Sequence, residues 1–265
     1  RRLITGKRNF IAIAAQRPGE ATAIPELLIV FTKAMHTNAA LSGVRHLLGQ
    51  ETHVLSLQNG LGNIAALSSH VPLSRVLIGV TTVPADVVAP GHVHSHGAGG
   101  VRLMSADGVL RPFVGRVAAA LNAAGLPTEV DPGVMTAVWE KVAFSAALNS
   151  VCAVTGCTVG QVAAMPAGLA LAQAIAGDVD AVARATGIAA NAGDVAAAVD
   201  GALDRHGSHK PSMLQDILAG RRTEIEAING AVIAAAQKSG IRAPHTATLL
   251  ALVRLVESRA PSTAA

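Results

Sequence analysis

The chain has 265 residues, enough for one large domain or two of ordinary size, and 51% hydrophobic against 14% charged residues gives it the material for a folded core. Four Phe, one Trp and no Tyr exclude any mechanism built on a tyrosine acid, while two Cys make neither a disulfide framework nor a four-thiolate zinc site and point to a reducing compartment. A net charge of +4, without long Lys/Arg runs or interleaved aromatics, argues against nucleic acid as a partner and suits a small anionic ligand.

Along the first half, apolar runs of strand length alternate with helical patterns. Residues 10–15, 25–32, 53–57 and 76–82 read as buried strands, with helices at 37–48 and 63–70 between them. That alternation predicts a parallel sheet with helices on its faces. Residues 91–96 and 101–104 read as a hairpin, 111–124 as a helix and 127–130 as a last strand. After Asp131 only helical spacing remains, over 134–154, 166–186, 194–205, 212–218, 224–239 and 244–258, with a loose tail at 261–265. Ser212 is expected at an N-cap with Gln215 reaching back, Gly240 at a helix end and Pro244 in a first turn. The predicted organisation is an α/β domain over 1–131 and an all-helical domain over 132–265. Residues 142–177 carry no Asp, Glu, Lys or Arg and are long enough to span a bilayer. Asn149, Ser150, Thr155, Gln161 and Gln173 lie inside that stretch and Gly156, Gly160 and Pro166 break it, so a buried helix pair is expected and no membrane partner. The chain opens on Arg1-Arg2 with no initiator Met and no signal peptide, and the front of a longer natural protein is expected to precede it.

Several residues could carry chemistry. The strand at 53–57 runs into Gln58-Asn59-Gly60-Leu61-Gly62-Asn63-Ile64-Ala65, whose Gly-x-Gly-x-x-Ala spacing matches the pieces of a dinucleotide fingerprint. The following strand ends in Thr81-Thr82, where the fingerprint wants an acid or a basic pair. Three readings stay open: a primary phosphate loop, a tight strand-to-helix turn, or Asn59 and its glycines lining a cofactor from a later strand. Lys33 closes the strand at 25–32, either as a ligand of the carboxyl edge or as a solvated lysine. Lys141, Ser145 and Asn149 stand at i, i+4 and i+8 on one helix face. Burial would lower the pKa of Lys141 and make it a proton donor; the alternative is a lysine snorkelling from a core helix. Glu224 lies between Arg221-Arg222 and Glu226 and reads alone as part of a surface charge cluster. His92, His94 and His96 point to one side of a strand, but no carboxylate lies nearby in sequence and no metal is expected. Cys152 and Cys157 read as core thiols.

Four stretches carry a family resemblance: Val30-Phe31-Thr32-Lys33-Ala34; Leu57-Gln58-Asn59-Gly60-Leu61-Gly62; Trp139-Glu140-Lys141 through Asn149; and Ser212-Met213-Leu214-Gln215-Asp216-Ile217 running to Thr223-Glu224-Ile225-Glu226-Ala227-Ile228-Asn229-Gly230. In their order and spacing the chain resembles the ketopantoate reductase (2-dehydropantoate 2-reductase) family over nearly its whole length. The resemblance implies a Rossmann-like domain, then a helical domain like that of 6-phosphogluconate dehydrogenase. It implies NADPH-dependent reduction of ketopantoate to pantoate on the cytoplasmic route to pantothenate and coenzyme A. Lys141 matches the family's general acid, Asn149 and Ser212 match substrate-binding positions, and Glu224 matches the acid that closes the site near the cofactor. Lys33, Asn59 and Ala85 match positions lining NADP(H), and Arg1 or Arg2 stands where the family keeps a basic residue for the 2′-phosphate. Ser145 stands where well-known members carry a substrate-contacting Asn, and His209 where some carry another. The family's opening strand, Gly-x-Gly-x-x-Gly and helix are not among these residues, so a Rossmann-like domain incomplete at its front, holding NADPH weakly, is expected. A reductase of another small oxo acid and a cofactor-deficient, non-catalytic module remain as alternatives, with a homodimer among the open assemblies.

Overall fold

The computed structural model describes residues 11–95, 99–189 and 210–259. Arg1, Arg2, Phe10, His96, the helix expected at 194–205, His209 and the tail at 261–265 lie outside them. Within the described residues the chain forms two compact units. One holds everything up to Gln58 together with Asn63–Val134, and the other holds Asn59–Gly62 and everything from Met135.

The first unit carries strands β1 (Leu27–Val30), β2 (His53–Ser56), β3 (Val76–Thr81), β4 (Ala85–Ala89), β5 (His92–Ser95), β6 (Val101–Ser105) and β7 (Thr128–Val130). Its main sheet has the order β1-β2-β3-β6-β7. β1, β2 and β3 run parallel, with Leu28 opposite Val54 and Leu55 opposite Leu77. β6 is antiparallel to β3 and parallel to β7. Val54, Leu55, Val76 and Leu103 are fully buried, as the near-continuous apolar runs of a sheet covered on both faces require. Helices α1 (Thr37–Gly43), α2 (Asn63–Ser68) and α3 (Pro112–Ala123) accompany the sheet. Leu41 of α1 and Leu67 of α2 join Val30, Val54, Val71 and Val76 in one apolar cluster.

Four expectations change here. The sheet is mixed, because β6 enters it against β3. The hairpin forms one step earlier, as β4 with β5, a separate two-stranded sheet turning at Pro90-Gly91. Apolar residues on both faces of β6 (Val101, Leu103 and Met104, each at most 2% exposed) demand the interior, whereas Val87 and Val93 of the hairpin stand 76% and 62% exposed. Residues 11–15 form no strand: Ile11 and Ile13 are 60% and 80% exposed, and no strand among the described residues pairs with them. The helix expected at 37–48 stops at Gly43 and continues as a 3₁₀ turn, Arg45–Leu47.

The second unit is helical among the described residues. Helix α4 (Val134–Phe144) passes through a π turn, Ser145–Asn149, into α5 (Ser150–Thr155). α6 (Val159–Ala164), α7 (Pro166–Ala185) and α8 (Ser212–Leu218) follow; a second π turn, Glu226–Gly230, leads into α9 (Ala231–Ser239), and α10 (Pro244–Arg259) ends the described chain. Ala146, Ala147, Leu148, Cys152, Ile175, Ile225, Val232 and Val253 are fully buried in one core. Burial pushes the Cys152 thiol up to about 12, so it packs as an inert apolar group. Sequence reading missed α6, although Thr158 and Gln161 form a complete capping box at its start. Conversely, Ser212 is not an N-cap: Pro211 occupies that place, Ser212 is the first helical residue, and the Gln215 amide donates to Lys210 O at 2.9 Å. A proline cap has no side-chain acceptor, so the box expected there has no first half. Gly240 ends α9 and Pro244 opens α10 as expected, with Thr246 N–H donating to Asp178 Oδ2 of α7 at 2.9 Å.

Candidate active site

The loop after β2 begins with a residue that ties strands together. Gln58 Oε1 accepts from Ser56 Oγ at 2.8 Å, and its amide donates to Thr37 Oγ1 at 2.9 Å and to the Thr32 carbonyl. This fixes where the chain leaves the first unit. Asn59–Gly62 then belongs to the second unit, where Leu61 N–H donates to Ala227 O at 2.8 Å. Asn59 Nδ2 stands 3.5 Å from Glu224 Oε2, a long contact between residues 165 positions apart in sequence.

Glu224 is placed by its neighbour. Thr223, 1% exposed, accepts from Ile225 N–H at Oγ1 (3.1 Å), and its own N–H donates to Glu257 Oε1 of α10 (2.7 Å). The Glu224 carbonyl accepts from Ala227 and Ile228 N–H, both at 3.0 Å, so the carboxylate sits where a helix starts. Lys141, in the last turn of α4, is half-buried. Burial pushes its ammonium below the usual lysine range, and the Glu224 charge pulls in the opposite direction. Asn59, Glu224 and Lys141 therefore form one electrostatic group within the second unit.

Ser145 and Asn149 open and close the first π turn and are 6% and 9% exposed. Over eight residues an α-helix drifts by about 80°, which would carry Asn149 away from Lys141. A π turn rotates less per residue and offsets that drift. α8, which starts at the exposed Ser212, packs on this π turn, and the two π turns pack on each other. Lys33 and Ala85 belong to the first unit: Lys33 precedes the 3₁₀ turn Ala34–His36 after β1, and Ala85 opens the exposed β4. His92 and His94 lie on β5.

Sequence reasoning gave no role to Thr223, Gln58 or Asn229. Asn229, fully buried in the second π turn, has both side-chain polar atoms without a protein partner. A Thr before Glu at a helix start was the legible signal for Thr223. The contacts of Gln58 and the burial of Asn229 come out only in the fold.

Comparison with known proteins agrees with this architecture. Residues 3–108 match the family model described as ketopantoate reductase PanE/ApbA, and residues 133–257 match its C-terminal counterpart, the helical domain. A 2-dehydropantoate 2-reductase of Streptococcus pyogenes serotype M6 is 34% identical over 258 residues, covering 97% of this chain and 84% of that protein. The crystal structure of 2-dehydropantoate 2-reductase from Geobacter metallireducens GS-15 superposes with a TM-score of 0.86 at 29% identity, covering 91% of this chain and 80% of that one. A ternary structure of D-mandelate dehydrogenase with NADH and anilino(oxo)acetate gives 0.84 at 27% identity, over 88% and 76% of the two chains. The fold is thus a Rossmann-like α/β unit followed by the family's helical domain, and the chain belongs to the ketopantoate reductase family of oxidoreductases.

Proposed function

We propose that the protein reduces 2-dehydropantoate to pantoate with NADPH, in the cytoplasmic pathway to pantothenate and coenzyme A. The observation that carries this reading is Lys141: a desolvated ammonium opposed by the Glu224 carboxylate, in a chain of this family. By family position the Lys33 ammonium, after β1, and the Asn59 amide, in the loop after β2, are assigned to a nicotinamide dinucleotide, since ligands of open α/β sheets bind outside the carboxyl ends of the strands. Ala85 and Glu224 would line it as well, with Arg1 and Arg2 assigned to its 2′-phosphate. When bound, the cofactor supplies the hydride. Lys141 Nζ holds the proton, donates a hydrogen bond to the substrate's keto oxygen, and delivers that proton as negative charge develops there. Glu224 keeps the ammonium charged against desolvation. Ser145, Asn149 and Ser212 supply hydroxyl and amide groups for the substrate's carboxylate and hydroxyl.

A second reading, reduction of an aryl 2-oxo acid, is favoured by the likeness to D-mandelate dehydrogenase. Initial rates with 2-dehydropantoate and with an aryl 2-oxo acid, each with NADPH and NADH, separate the two. The highest kcat/KM is expected for 2-dehydropantoate with NADPH. A higher value for the aryl acid would replace the substrate, and a preference for NADH would remove Arg1 and Arg2 from the site.

A further inference from the structure

Gly60 and Gly62 share a backbone conformation and differ in what surrounds them. Their φ angles are +85° and +88°, in the left-handed region that side chains strain to adopt. A Cβ at Gly62 would meet nothing within 4 Å. At Gly60 it would lie 2.4 Å from Ala227 O, 2.8 Å from Ala227 C and 2.9 Å from Ala227 Cβ. The turn alone asks for glycine at both positions, but only Gly60 is also pressed against a backbone that no rotamer change can move. The next residue completes the join, because Leu61 N–H donates to that same Ala227 O at 2.8 Å.

Ala227 lies inside the second π turn. There Gly230 N–H reaches five residues back to Ile225 O at 2.9 Å, while Ala231 N–H donates to Ile228 O. The ordinary four-residue step is broken where Ala227 O takes its bond from the loop. On the loop side of this join stands Asn59, immediately before Gly60. On the helix side stands Glu224, one turn before Ala227, and the two side chains meet at 3.5 Å. All of these residues belong to the second unit.

We propose that Gly60 and the Ala227 backbone form a positioning joint that sets Asn59 against Glu224 and so holds the carboxylate in register with Lys141. This rests on the reading of Lys141 and Glu224 as site residues given above. Gly60 is a positioning residue: it acts through Asn59 and Glu224.

The test compares Gly60→Ala with Gly62→Ala. Both variants carry the same φ strain, and only the first carries the collision. Ala227→Val enters the same space from the helix side without touching a strained φ, and serves if Gly60→Ala does not fold. Two readouts are taken on the intact protein: kcat and KM for oxo-acid reduction, and hydrogen exchange of the Leu61 amide. A displaced carboxylate is expected to lower kcat in Gly60→Ala and Ala227→Val at least about tenfold further than in Gly62→Ala, with KM following little. Leu61 is expected to stay protected in the parent and in Gly62→Ala and to exchange faster in the other two. Equal kcat in all three variants overturns the joint, as does a Leu61 amide that keeps its protection in Gly60→Ala and Ala227→Val. A parent that reduces no 2-oxo acid overturns the functional reading alone. The joint is then decided by the Leu61 exchange.

Discussion

Two opposing influences meet on Lys141. Burial disfavours its charged form and the Glu224 carboxylate favours it, with burial the larger, so the ammonium titrates below the usual lysine range. A proton donor must be charged to act, so kcat/KM is expected to fall as pH rises through this lowered value. Glu224→Gln removes the supporting charge and moves that limb to still lower pH. A pH–rate profile with the same high-pH limb in both proteins would separate Glu224 from Lys141. The stability sign is the opposite of a salt bridge's. A lysine whose folded pKa lies below its unfolded value destabilises the fold at pH below the folded pKa, and the burden lifts as pH rises toward the unfolded one. Lys141→Met is therefore expected to leave Tm at pH 7 unchanged or raise it; a fall of several degrees would show that the ammonium supports the fold. Lys141 was legible in the sequence because it is the last charge before a long uncharged stretch and shares a face with Ser145 and Asn149. Its coupling to Asn59 through Glu224 was not, since 165 residues separate Asn59 from Glu224 and no local pattern links them.

At the scale of elements, periodicity located most of the described helices of the second half, though not α6, and most strands of the first, because burial on one face imposes it directly. It did not reveal the π turns, which use the same apolar residues with a different hydrogen-bond step. Nor did it give the partner of β6, which depends on where the chain between β3 and β6 is looped out. Helix α7 offers a prediction in which local propensity and packing disagree. Glycine in a helix interior costs about 1 kcal/mol relative to alanine, so propensity alone makes both Gly168→Ala and Gly177→Ala stabilising. At Gly177 a Cβ meets nothing within 4 Å, and Gly177→Ala is expected to raise Tm by up to about 4 °C. At Gly168 a Cβ would lie 2.2 Å from Val162 O, a backbone atom of α6, and overpacking of about 1–3 kcal/mol outweighs the propensity gain. Gly168→Ala is expected to lower Tm. Thermal unfolding of the two variants checks the sign, and a rise in both would mean that α6 gives way to α7 without cost.

Across the whole molecule, an α/β unit and a helical unit meet the expectations of a nicotinamide-dependent reductase, and no helix of the described residues is long and apolar enough to cross a membrane. The uncharged stretch over 142–177 is explained by the helical core, where the small side chains Ala146, Ala147, Ala172, Ala176 and Ala183 let helices approach closely. Its proposed chemistry depends on one proton at one nitrogen. Steady-state reduction of 2-dehydropantoate by the parent and by Lys141→Ala, with NADPH saturating, tests this most directly. Loss of the general acid is expected to lower kcat by about 10²-fold or more while the protein stays folded. A near-normal kcat with only a raised KM would make Lys141 a binding residue and leave the reaction to another proton donor.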